Sequence, residues 1–245
     1  MGEQDLGASR PELDEDGTGR TPLWSRVVIG GAATLAVLLV GATIGMLLTQ
    51  TMREEPAAQP AAGSVEVGFA QDMSVHHLQA VTMANWARDH STNPRIRQLA
   101  FDMGSTQLEQ VGRMKGWLML WEQPEQTTGE YMTWMTGPGG HGDHGDHGAM
   151  NAAASAQDAP MPGMATNDEL ARMRALSGTE LDVYFLQLML RHHQGGTEMA
   201  EYTQEHSSMP AVDALVTSML RSQGAEMDLM RDLLAERDAK PLPFP

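Results

Sequence analysis

Apolar residues recur along two stretches of the chain at the 4,3 spacing of a helix that turns one stripe inward. The first stripe runs Phe69, Met73, His76, Ala80, Met83, Ala87, His90. The second runs Phe185, Met189, His192, Gly196, Met199, Thr203, His206. Each ends in a polar break before proline, HSTNP at 90–94 and HSSMP at 206–210. Pro94 and Pro210 suit the first turn of a following helix. Those following stretches place Ile96, Met103, Gln107, Gln110, Met114 and Trp117 inward, and Val212, Met219, Gln223, Glu226, Met230 and Leu233 likewise. The pattern predicts two helical hairpins, residues 64–123 and 167–240, the second opening with a short helix in NDELARMRAL. Two hairpins of ~25-residue helices make an all-α four-helix bundle.

A different pattern comes first. Val27 to Thr49 is a run of 23 residues without a charge. At ~1.5 Å per residue it extends ~35 Å, enough to cross a ~30 Å hydrocarbon layer. It exceeds the ~7–15 apolar residues of a signal peptide, so an uncleaved anchor is expected. Arg20 and Arg26 precede it and Arg53 follows. This bias predicts a cytoplasmic N-terminus and an exported remainder. Residues 1–26 then form a disordered cytoplasmic tail, 27–49 the transmembrane anchor and 50–63 a stalk with two prolines. Residues 124–166 read as a loop rich in Gly, His and Met.

The two hairpins are alike. A shift of 116 positions lays residues 69–118 on 185–234 without a gap, with 15 of 50 positions identical. The shared set includes Met73/Met189, the pairs His76-His77/His192-His193, and Met83/Met199. A core needs only apolar volume at such places, so retention of Met and His points beyond packing.

Composition narrows the chemistry. There are 20 methionines, only 4 Phe and 3 Tyr, and no cysteine. That excludes disulfides, thiolate metal sites and thiol nucleophiles. The formal charge of −16 repels phosphate backbones and argues against nucleic acid as a partner. No Glu-x-x-His, HExxH, GxSxG or phosphate-binding glycine loop occurs, so no enzymatic activity is expected.

A buried histidine without a partner costs roughly 1–3 kcal/mol. Folding each hairpin about residue 92 or its counterpart sets His76 opposite Gln107 and Gln110, and His192 opposite Gln223 and Glu226. One reading is a hydrogen-bonded polar layer that fixes bundle register, with methionine as core filler. The other is a metal site. Met73 shares a face with His76 and His77, and Met83 lies two turns along the same stripe. Thioether and imidazole together select Cu(I), with Ag(I) as its mimic, over hard cations. Asp72 would add an oxygen ligand; its counterpart is Leu188, so the two sites would differ. The segment HGDHGDHG adds His141, His144 and His147, a tract suited to weak capture of Cu(II), Ni(II) or Zn(II).

FAQDMSVHHLQAVTMA and YFLQLMLRHHQGGTEMAEY resemble the signature of the family known as domain of unknown function 305 (DUF305). That signature is an aromatic or Leu, an Asp-Met or Met-rich pair, His-His, a small residue and Met-Ala. Met161 to Tyr202 is similar to its most typical segment, and the resemblance extends over about residues 65–237 apart from the His-rich insert. It implies a ferritin-like four-helix topology, and a periplasmic cyanobacterial member has been linked to copper binding and copper resistance. By that resemblance Met73, His76, His77 and Met83, with Met189, His192, His193, Glu198 and Met199, inherit a ligand role. The expectation is a membrane-anchored extracytoplasmic protein that sequesters or handles Cu(I), other soft or borderline ions being compatible. A membrane and a metal ion are its expected partners.

Overall fold

The computed structural model describes residues 22–51, 59–135 and 159–244. Residues 1–21 of the expected tail, residues 52–58 of the expected stalk and the tract His141, His144 and His147 lie outside the described residues. Among those described there are six helices and no strand. The chain divides into two compact units, Met1–Ala58 and Gln59–Pro245.

The first unit contains α1, Leu23–Thr51, a few residues longer at each end than the apolar run. Thr34, Thr43 and Thr49 each turn their hydroxyl back onto the carbonyl four residues earlier. That satisfies these polar side chains within the helix, as an apolar solvent demands. By length and composition α1 is a candidate membrane span, whether anchor or signal sequence.

The second unit is the bundle: α2 (Val65–His90), α3 (Pro94–Leu120), α4 (Asn167–Ala175), α5 (Gly178–His206) and α6 (Pro210–Ala235). The starts are set by local chemistry. Ser64 caps α2 by accepting from the Val67 N–H, and Asn93 caps α3 ahead of Pro94. Thr166 and Glu169 form a reciprocal capping box on α4. α2 lies along α3, α5 along α6, and the hairpins meet through α2 and α5.

α2 and α5 run antiparallel, clasped at both ends. Ser91 Oγ donates to Asp182 Oδ1 at 2.5 Å, and Ser207 Oγ donates to Glu66 Oε1 at 2.9 Å. The 116-residue shift exchanges one clasp for the other.

The apolar core is in two parts. One holds Met83, Met103, Met189 and Met230 with Phe185 and Leu188. The other holds Met73, Met114, Met199 and Met219 with Phe69. Between them, on all four long helices, stand the polar positions 76–77, 107–110, 192–193 and 223–226. The bundle is thus two oily ends divided by a polar layer.

Three expected inward positions are corrected. His90 and His206 are exposed at the helix ends, stacked on Trp86 and Tyr202 at 3.7 and 4.0 Å. Each ring donates its Nδ1–H to the carbonyl four residues back, so the last turn holds it outward. Trp117 is half-buried, beside Trp121. The described parts of the segment 124–166 hold no helix, yet they contribute to the core. Trp134, Met135, Met161, Met164 and Ala165 are buried in the core. Gly68 makes room for Trp134: a Cβ there would stand 2.3 Å from the indole ring.

Candidate metal centre

His76, His77, His192 and His193 converge at mid-bundle, none more than 1 % exposed. His76 and His192 face each other with ring centroids 3.8 Å apart. Each is 6.4 Å from the second histidine of its own pair.

The partner of each ring differs from the simple hairpin expectation. His77, not His76, meets α3: its Nε2 lies 2.7 Å from Gln110 Oε1. His193, not His192, meets α6: its Nε2 lies 2.7 Å from Glu226 Oε2. The reason is rotational. One residue turns a helix by about 100°, so when the first histidine faces the opposite hairpin the second faces its own. His192 Nε2 reaches the His76 carbonyl at 2.9 Å, and His76 Nε2 the Pro162 carbonyl at 3.2 Å.

These contacts fix the tautomers. In all four rings the Nε2 neighbour is an oxygen acceptor, so Nε2 carries the proton and Nδ1 keeps its lone pair. The Nδ1 atoms of His76, His77 and His193 are buried and without a protein partner. Gln107 is in the same state at both amide atoms. Such atoms cost about 1–3 kcal/mol each when left unmet. Burial disfavours the charged form of His76, His77 and His192. His76 is pushed down to about 4 by desolvation, against an opposing bond to Pro162. His77 is pushed down to about 3 by desolvation and by repulsion from His76. His192 falls well below the ordinary range, again by desolvation first.

A strap seals this layer. Pro162 sits against Gly195, where a Cβ would come 2.0 Å from the Pro162 oxygen. Gly163 adopts φ +75°, and a Cβ there would meet the Arg191 carbonyl at 2.4 Å. Gln79 grips Ala165 twice, through its Nε2 to the carbonyl and its Oε1 from the N–H. Arg191 on α5 holds α4 through a forked pair with Glu169 and reaches the strap at the Met164 carbonyl. Sequence reading missed the Pro162 carbonyl; the signals for it were the glycines of MPGM and of Gly195-Gly196.

The other candidates are distributed as follows. Met73 and Met199 lie in one apolar part, and Met83 and Met189 in the other, flanking the layer on both sides. Asp72 is 1 % exposed and turned to the 131–135 segment. Its Oδ2 accepts from the Met132 N–H at 2.7 Å and from the Trp134 indole at 2.8 Å. Burial raises its pKa, against those two bonds. Glu198 is half-buried next to Met199. Among the described residues no three His, Asp or Glu side chains stand together as a ready chelate.

Three lone-pair nitrogens buried without partners suit a borderline or soft ion, and each is oriented from behind by an oxygen, the usual support of a metal-binding imidazole. The residues present therefore fit a metal ion.

The model of the family described as Domain of unknown function (DUF305) matches residues 66–234. The chain belongs to the DUF305 family. Its bundle resembles a solved DUF305 protein from Streptomyces coelicolor at 40 % identity and TM-score 0.64, covering 75 % of this chain and 99 % of that one. A DUF305 fragment from Deinococcus radiodurans matches at 29 % identity and TM-score 0.56, covering 74 % and 99 %. CopM in its Cu(I)-bound form shares the fold at 21 % identity and TM-score 0.51, covering 70 % and 96 %. None of the curated proteins gives a significant match. Within this DUF305 bundle, then, the His-His pairs of the signature occupy the central layer.

Proposed function

We propose that the protein is a membrane-anchored, extracytoplasmic metal-binding protein that sequesters or hands on copper as Cu(I), by binding rather than catalysis. One observation carries the reading: four buried histidines each commit Nε2 to an oxygen, and three keep an Nδ1 lone pair with no partner. His76, His77, His192 and His193 would hold the ion. Thioethers of Met73, Met83, Met189 and Met199 lie in the apolar parts on either side, and soft sulfur favours Cu(I). Recruiting them, or turning the rings slightly, completes a coordination shell that the metal-free arrangement does not preform. The fold is shared with CopM, whose structures carry Cu(I) and Cu(II). Arg20 ahead of α1 and Arg26 in its first turn support an N-terminus on the cytoplasmic side. His141, His144 and His147 would collect ions from the exterior.

A second reading has one observation in its favour. Every Nε2 is already matched, so the layer also works as a register-fixing polar band without metal. Titration of the full chain in detergent with Cu(I), against a competing chelator and without oxygen, separates the two. Retention that falls in His77→Gln and His193→Gln, with helix content unchanged, supports the metal centre. No retention, or retention indifferent to both changes, leaves only the structural band.

A further inference from the structure

The two halves of the histidine layer are matched in geometry and mismatched in charge. His77 leans on Gln110, and His193 leans on Glu226, each through Nε2 at 2.7 Å and each 33 residues along the chain. Gln110 and Glu226 are counterparts under the 116-residue shift. An amide and a carboxylate of the same shape stand in the same place.

The difference matters most for a buried ion. A divalent ion among neutral imidazoles and thioethers leaves two positive charges in a medium of low polarity, where uncompensated charge is expensive. Glu226 removes one of them. A monovalent ion beside His77 and Gln110 also leaves one. A carboxylate behind an imidazole further raises the basicity of the ligating nitrogen. Arg191, the adjacent cation on α5, is paired with Glu169.

We infer that Glu226 is a positioning residue that makes the His193 side of the layer selective for a divalent ion, while Gln110 leaves the His77 side to a monovalent one. This rests on the metal reading above. The layer would thereby accept both oxidation states of one element, each on its own side.

The test uses the full chain in detergent with His141→Ala, His144→Ala and His147→Ala as background, which removes the competing tract. Ag(I) is the monovalent probe and Cu(II) the divalent one. Gln accepts the same hydrogen bond as Glu, so E226Q preserves packing and orientation and removes only charge. Selectively labelled ¹⁵N-histidine spectra of the metal-free chain verify that His193 keeps its Nε2–H tautomer. E226Q should weaken Cu(II) by about 10- to 100-fold and Ag(I) by less than about threefold. Q110E should strengthen Cu(II), a gain that a merely structural role does not produce. Equal loss of both ions in E226Q, no gain in Q110E, or an Nδ1–H tautomer at His193 overturns the inference while the metal reading stands. A background chain that retains neither ion overturns both.

Discussion

His76 and His192 lie face to face across the bundle, ring centroids 3.8 Å apart and planes inclined by 37°. His192 also donates to the backbone carbonyl of His76, so one ring fixes α2 while stacking on its side chain. The contact tolerates two neutral rings. A proton on either would put a buried positive charge against its neighbour.

Acid should therefore unfold the metal-free chain early. Unfolded imidazoles take up a proton near 6.5, whereas folded His76 does so at about 4 and folded His77 at about 3. Between those values the unfolded chain binds protons that the folded chain refuses. Stability is full above about pH 6.5 and lost as pH falls toward 4, by about 2 kcal/mol per such histidine between pH 6.5 and 5. Urea midpoints at pH 7 and pH 5 measure it, and His76→Gln should flatten the slope by one histidine. A wild-type midpoint that does not move would show these rings are not buried neutral.

Gly195→Ala should destabilise the bundle by about 1–3 kcal/mol, because the new methyl meets the Pro162 oxygen and lifts the strap. The His76 Nε2 proton should then exchange faster with solvent. Thermal unfolding together with histidine NMR checks both. A stable variant with a protected proton would mean the strap is not what seals the layer.

Gln107→Leu should stabilise the metal-free protein by about 1 kcal/mol, since an amide with both ends unmet gives way to an apolar side chain of similar length. Chemical denaturation without metal is the measurement. Loss of stability would reveal a partner for that amide.

The two clasps should differ in strength. Ser91 is buried, so Ser91→Ala leaves the Asp182 carboxylate short of a donor at a cost of about 1.5–3 kcal/mol. Ser207 is half-buried and Glu66 also receives the Ser208 N–H, so Ser207→Ala should cost less. The clasps sit at opposite ends of α2, so the double variant should show additive losses. Equal single losses would contradict the burial argument.

The sequence carried the fold because its strongest signals are local. The 4,3 stripes from Phe69 and Phe185, the prolines at 94 and 210 and the Thr166–Glu169 box each dictate an element without help from distant residues. The site was half legible. The histidine pairs stood out by type and spacing, but their partners depend on helix rotation, which spacing alone leaves open by one residue. That is why His77 rather than His76 meets Gln110. The strap could not be read, because its contact is a backbone carbonyl and the only trace is absent side chains at Gly163 and Gly195. His90 and His206 misled for a related reason: periodicity runs on to the end of a helix, while the neighbouring helix that would cover it does not.

The serine clasps carry an implication for assembly. One hairpin alone holds both a donor, Ser91, and an acceptor, Glu66, at opposite tips of the same helix. Two copies of the first hairpin set with their α2 helices antiparallel would each close the other's open end, an isologous dimer with twofold symmetry. The covalent chain builds that same closure within one molecule, which frees each half to drift: Leu188 where its mate has an acid, Glu226 where its mate has an amide, and a strap that reaches only one of the two central rings.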